Sequence, residues 1–152
     1  MHPRDGDLER LAARLGNIRP DHPRRWGRMT AHQMVCHLAD AFRMGMGQQA
    51  VSHDSRLFNR TVVKWVALYV PLRWPPGMIL TRPELDQAMG RGTQPTDFAS
   101  DLARAQAEME SFYEAGARLE GQPHPLFGPL SQAAWLRWGY LHTDHHLRQF
   151  GA

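Results

Sequence analysis

The chain ends in LHTDHHLRQFGA, residues 141–152, which puts three histidines, His142, His145 and His146, inside five positions. Imidazoles this dense form an appended tag, a buried polar cluster or a metal site. Thr143 and Asp144 interrupt the run, and a helical pattern surrounds it, which argues against a tag. On a helix, His142 and His146 stand about 40° apart around the axis and one turn along it, so two imidazoles can chelate one ion. His145 lies on the other flank of His142. Spacing alone leaves open whether it replaces His146 as chelator or sits outside the site.

A catalytic ion needs three protein ligands and an open position. His37 is the best third candidate, because it shares one stripe of a separate helix with Met34, Leu38, Ala41, Met44 and Gly45. An imidazole without a partner is poorly accommodated there. Asp40 follows three residues later and is placed to hold a ligand histidine by its second ring nitrogen. Three neutral imidazoles suit a divalent metal, zinc or nickel foremost, with cobalt, iron and copper also compatible. Gly139 sits one turn before His142 on the same stripe. A mid-helix glycine costs about 1 kcal/mol against alanine, and either room for a ligand or close helix packing would explain it. Of the other candidates, Asp144 reads as a surface partner of Arg148. His22, His32 and His53 read as surface or capping residues, and His124 as the organiser of a turn. Cys36 points about 100° away from His37 and reads as a buried, inert thiol.

The elements that must position these residues are helical. Leu8, Leu11, Ala12 and Leu15 recur at helical spacing over 7–16. The second helix opens at Thr30, with Gln33 completing a capping box and Met29 and Met34 a hydrophobic staple, and runs to about residue 47. A third, 96–120, takes Thr96 as N-cap and carries Phe98, Leu102, Ala105, Met109, Phe112, Gly116 and Leu119 on one seam. The last opens at Ser131 and runs to Phe150. Between them, 55–70 reads as an apolar helix that Pro71 ends, with a buried strand as the weaker option, followed by a Pro- and Gly-rich connection to residue 95. The expectation is one all-α domain over 1–152, a four-helix bundle with an insert at 48–95.

Composition narrows the partners. At 152 residues, 42% hydrophobic and 22% charged, the chain is long enough for one real core. The lone Cys36 excludes a disulfide framework and a Cys-rich zinc site. The polar start, MHPRDGDLER, carries no apolar leader, so a soluble, cytoplasmic protein is expected. The pI of 9.6 comes from scattered arginines rather than a dense basic stripe, which argues against nucleic acid as a partner. Arg60 and Lys64 interrupt the one apolar segment, which is too short to span a membrane. The expected partner is a small-molecule substrate.

His37-Leu38-Ala39-Asp40, followed about 105 residues later by His142-x-x-x-His146, resembles the DinB-like superfamily. WGRMTAHQMVCHLADAFRM (26–44) and HPLFGPLSQAAWLRWGYLHTDHHLRQFG (124–151) resemble one of its branches, the DUF1569 family of uncharacterised bacterial proteins. The resemblance implies a four-helix bundle whose second helix gives one histidine, and whose fourth gives two, to a divalent metal. On this chain those are His37, His142 and His146, so the resemblance prefers His146 to His145. Superfamily members of known activity include bacillithiol and mycothiol S-transferases and a maleylpyruvate isomerase, which implies a low-molecular-weight thiol as cofactor. Many are dimers.

The leading expectation is therefore a metal-dependent transferase or isomerase using a thiol. Asp40 would orient a ligand, His145 or Tyr140 would relay protons, and Trp65, Tyr69, Trp74 and Met78 of the insert at 48–95 would wall the pocket or supply a dimer surface. Metal-assisted hydrolysis is the alternative, although no carboxylate stands out as its base. A non-catalytic metal- or ligand-binding stress protein is the third.

Overall fold

The structure is a computed structural model that describes residues 5–53, 56–70, 73–76 and 82–152. Its framework is all-α. Helices α1 (Asp5–Gly16), α2 (Ala31–Gly45), α4 (Phe98–Ala115) and α5 (Gln132–Gln149) are the long elements, and a short α3 (Lys64–Tyr69) lies between α2 and α4. A two-residue hairpin, β1 (Pro123–His124) with β2 (Gly128–Pro129), precedes α5. No helix among the described residues is long and apolar enough to cross a membrane.

Local chemistry sets the helix starts. The Thr30 hydroxyl accepts from Gln33 N at 3.1 Å while Thr30 N donates to the Gln33 side chain at 2.9 Å, a complete capping box. Ser131 caps α5 by accepting from Ala134 N. For α4 the cap is Asp97 rather than the expected Thr96. The Asp97 carboxylate takes Ser100 N at 2.9 Å, and Thr96 instead donates from its backbone N to buried Asp101. The helix also stops earlier than its pattern suggests. Gly116, with φ +52°, breaks it, and a 3₁₀ turn carries Leu119 back into the core.

α2 packs against α4 and α5, and α1 against both α4 and α5. Leu15, Met34, Leu38, Phe42, Phe112, Trp135 and Leu147 meet there, all fully buried. Gly139 is explained by this packing and not by room for a ligand. A Cβ there would stand 2.7 Å from the Phe112 ring. Gly139→Ala should lower the unfolding free energy by about 1–2 kcal/mol, because overpacking at roughly 1–3 kcal/mol outweighs the gain in helix propensity. Urea denaturation reads this, and binding of metal should be unchanged.

The insert is helical over 57–69, where a π-type turn at Asn59–Val63 leads into α3. Val70 is extended, as a residue before proline tends to be. Trp74 folds back over α3, donating from Nε1 to the Ala67 carbonyl at 2.7 Å. The connection to α4 contains two 3₁₀ turns, Pro83–Leu85 and Gln87–Met89.

Candidate metal centre

α2 brings His37, and α5 brings His142 and His146, to one buried point. One ring nitrogen from each lies within 4.8 Å of the others. Nε2 of His37 stands 3.3 Å from Nε2 of His142. Two nitrogens each about 2.0–2.1 Å from a tetrahedral ion stand at about that separation. His145, also expected as a possible chelator, stays outside the group.

Two of the rings are locked with a lone pair facing inward. His37 Nδ1 donates to the Leu85 carbonyl at 2.9 Å, and His146 Nδ1 donates to Gln149 Oε1 at 3.0 Å. The Gln149 amide is fixed in turn, because its Nε2 donates to the Trp26 carbonyl at 2.8 Å. A neutral imidazole with its proton on Nδ1 presents Nε2 as acceptor or ligand. His142 differs: its Nδ1 is buried without a partner among the described residues, and Trp138 holds its ring by stacking at 4.8 Å. Burial pushes His37 below the usual imidazole range. Burial, reinforced by the neighbouring imidazoles, pushes His142 and His146 well below it. Neutral nitrogen is the form that binds a cation, so the residues present fit a divalent ion.

Asp40 does its positioning differently from the expectation. Its carboxylate accepts from Gln87 Nε2 at 2.8 Å and from the backbone N and hydroxyl of Thr93, both at 2.7 Å. It pins the 83–93 connection, and that connection supplies the Leu85 carbonyl that His37 meets. Gly92, at φ +66°, allows the close approach, since a Cβ there would fall 2.8 Å from Asp40 Oδ2. Three residues of helix turn Asp40 toward Gln87 and Thr93, while His37 meets Leu85 with one ring nitrogen and faces His142 of α5 with the other.

The centre borders a cavity of about 620 Å³. The exposed Phe58, Val62 and Val66 line it, so it reaches the surface. The insert does wall the pocket, but through these residues and Trp74. Trp65 is exposed outside it, Tyr69 lies near the Arg137 guanidinium, and Met78 is outside the described residues. His145 lines the cavity, with Nδ1 against the Trp74 carbonyl at 3.2 Å, which leaves its Nε2 as acceptor. Tyr140 does not line it. Two residues before His142, it sits about 200° around α5, on the side where its hydroxyl acts on that of Tyr113.

Other candidates take structural places. His32 is no surface residue: Nε2 meets Asp101 Oδ2 of α4 at 2.7 Å. Cys36, His32 and Asp101 form a second cluster, but Asp101 is already engaged by Thr96 and Arg104, and burial pushes the Cys36 thiol up to about 11. Asp144 pairs with Arg148 as expected and also with Arg14, both at 2.8 Å, which ties α1 to α5. His124 organises its turn, accepting at Nδ1 from Leu126 N and Phe127 N, and it also lines the cavity.

A family model described as "Protein of unknown function (DUF1569)" matches residues 7–152. No curated protein matches the chain, and no solved structure does.

Proposed function

The chain belongs to the DUF1569 family, whose description names no activity, and from its site we propose a metal-dependent enzyme that activates a small nucleophile in an apolar pocket. The observation that carries this is the meeting of three buried imidazole nitrogens within 4.8 Å at the edge of a 620 Å³ cavity. His37, His142 and His146 would hold a divalent ion, zinc or nickel foremost. A divalent ion held there would supply Lewis acidity, making a thiol or water more acidic.

The chain's own residues supply the rest. Leu85 O and Gln149 orient two ligands, and Trp138 a third. His145 Nε2, facing the same cavity, accepts the proton that the nucleophile gives up. The apolar wall built by Phe58, Val62, Val66 and Trp74 suits a soft thiol better than hydroxide. The resemblance of His37-Leu38-Ala39-Asp40 and His142-x-x-x-His146 to the DinB-like motif supports the same class, a thiol-dependent transferase or isomerase. Metal-assisted hydrolysis is the second reading, and one observation favours it: His145 supplies the base that no carboxylate in the sequence offered.

Cobalt-loaded protein titrated with 2-mercaptoethanol tests the choice. A sulfur-to-cobalt charge-transfer band that saturates supports the thiol reading. A visible spectrum that shifts with pH but ignores the thiol supports hydrolysis. Failure to take up cobalt would sink both.

A further inference from the structure

One polar group of the cavity wall is used neither by the metal centre nor by the base beside it. His124 accepts two backbone N–H groups at Nδ1, from Leu126 at 3.1 Å and Phe127 at 3.2 Å, so its proton is on Nε2. Nδ1 is turned into the hairpin, and Nε2 lies on the other edge of the ring. That nitrogen has no partner among the described residues and keeps accessible surface, and the ring forms part of the cavity wall. Burial holds the pKa of the imidazole down at about 3, so it stays a neutral donor across the physiological range. Stacking on Phe127 at 4.5 Å and an edge contact with Trp138 at 5.2 Å fix the direction of the N–H. Trp138 stacks in turn on His142 at 4.8 Å, so one indole separates this donor from the metal centre.

A ligand that fills the cavity strips water from this N–H. An apolar group placed there leaves a buried donor unpaired, whereas an acceptor oxygen replaces the lost water. A carboxylate is the wrong acceptor, because a neutral imidazole does not offset the desolvation of an anion. The guanidinium that acts on His124, that of Arg82, is already engaged. Its Nη2 donates to the carbonyl and the hydroxyl of Ser52, both at 3.0 Å, and its charge acts on the Glu84 carboxylate. The wall that continues from His124, Pro125, Leu126 and Phe127, is apolar.

We propose that His124 is the specificity-determining residue of this cavity, and that its Nε2–H donates to a carbonyl oxygen on an otherwise apolar, uncharged substrate. The donor acts on the part of the substrate remote from the three-histidine centre. That the other part meets a metal-held nucleophile rests on the function proposed above. The donor itself does not.

The test is therefore made on metal-free protein in excess chelator at pH 7.5. Acetophenone and α-methylstyrene, which share a shape and differ in C=O against C=CH2, are titrated against the fluorescence of Trp74 and Trp138, which both line the cavity. His124→Asn is the variant, because an Asn side-chain oxygen accepts the same turn N–H groups while the ring and its Nε2–H are removed. Acetophenone should bind the variant roughly three- to tenfold more weakly, and α-methylstyrene should change by no more than about twofold, which also shows that the pocket is intact. The carbonyl stretch of bound acetophenone, read by infrared difference with a 13C label, should lie below its position in hexane and move up in His124→Asn, which a merely structural histidine would not cause. Equal weakening of both ligands, acetophenone binding unchanged by the substitution, no binding of either ligand, or a hexane-like stretch in the unaltered protein overturns the proposal. Because no metal is present, these results stand apart from cobalt uptake, so the donor and the metal centre fail or hold separately.

Discussion

His37→Ala and His142→Ala should each reduce bound metal from near stoichiometric to background after incubation with zinc or nickel, read by elemental analysis of untagged protein. Two ligands cannot replace three at a buried site, because the remaining imidazoles would have to rearrange against a packed core. The losses should exceed the roughly 10–100-fold that removing an outer partner costs. Gln149→Leu falls in that smaller class, since it removes only the acceptor that holds His146 Nδ1. His145→Ala should keep the metal, because that ring's Nδ1 is committed to the Trp74 carbonyl and the ring lies outside the trio. His32→Ala should keep it too, which separates this centre from the His32–Cys36–Asp101 cluster. Metal retained by His37→Ala would show that the centre does not span α2 and α5.

Removing the metal should lower the melting temperature by roughly 8–16 °C. A ligand that binds only the folded state at about 1,000 times its Kd adds about 4 kcal/mol. For a chain of this length each kcal/mol moves Tm by about 2–4 °C. The metal-free protein should also weaken in mild acid. Folded His37, His142, His146 and His124 titrate below their ordinary 6.5. Below pH 6.5 the unfolded chain then binds more protons than the folded one, so stability is full above that pH and falls as pH drops. Differential scanning calorimetry with and without chelator, at pH 7.5 and 5.5, reads both effects. A melting curve indifferent to chelator in metal-loaded protein would leave a structural histidine cluster.

Much of the site was legible because helical spacing is a short-range rule. His142 and His146 lie four apart, and a regular helix must place them on one face whatever surrounds it. The apolar stripe of α2 likewise carried His37 inward. The caps at Thr30 and Ser131 were readable for the same reason, since a cap bonds to nitrogens two or three residues away. Asp97 in place of Thr96 is a one-residue slip where two capping types stand side by side.

Contacts across the fold were not legible. No spacing rule links His37 to the Leu85 carbonyl, 48 residues away, because a backbone acceptor has no residue identity. Asp40 looked like a ligand's partner, yet its bonds run to Gln87 and Thr93 of a connection without periodic pattern. Gly139 fitted both an open site and a close contact until Phe112 was placed against it. Gln149, three residues after His146, carried a local signal that helical spacing could have supplied.

The sequence by itself determined which helices form and which face each chemistry-bearing side chain shares, because those depend on residues within one turn of one another. Only the tertiary structure decided that the Leu85 carbonyl meets His37, that Asp40 serves Gln87 and Thr93, and that His124 and His145 share a cavity with the trio. Those outcomes depend on how helices and connections pack, and packing is a sum over distant contacts that no local pattern encodes.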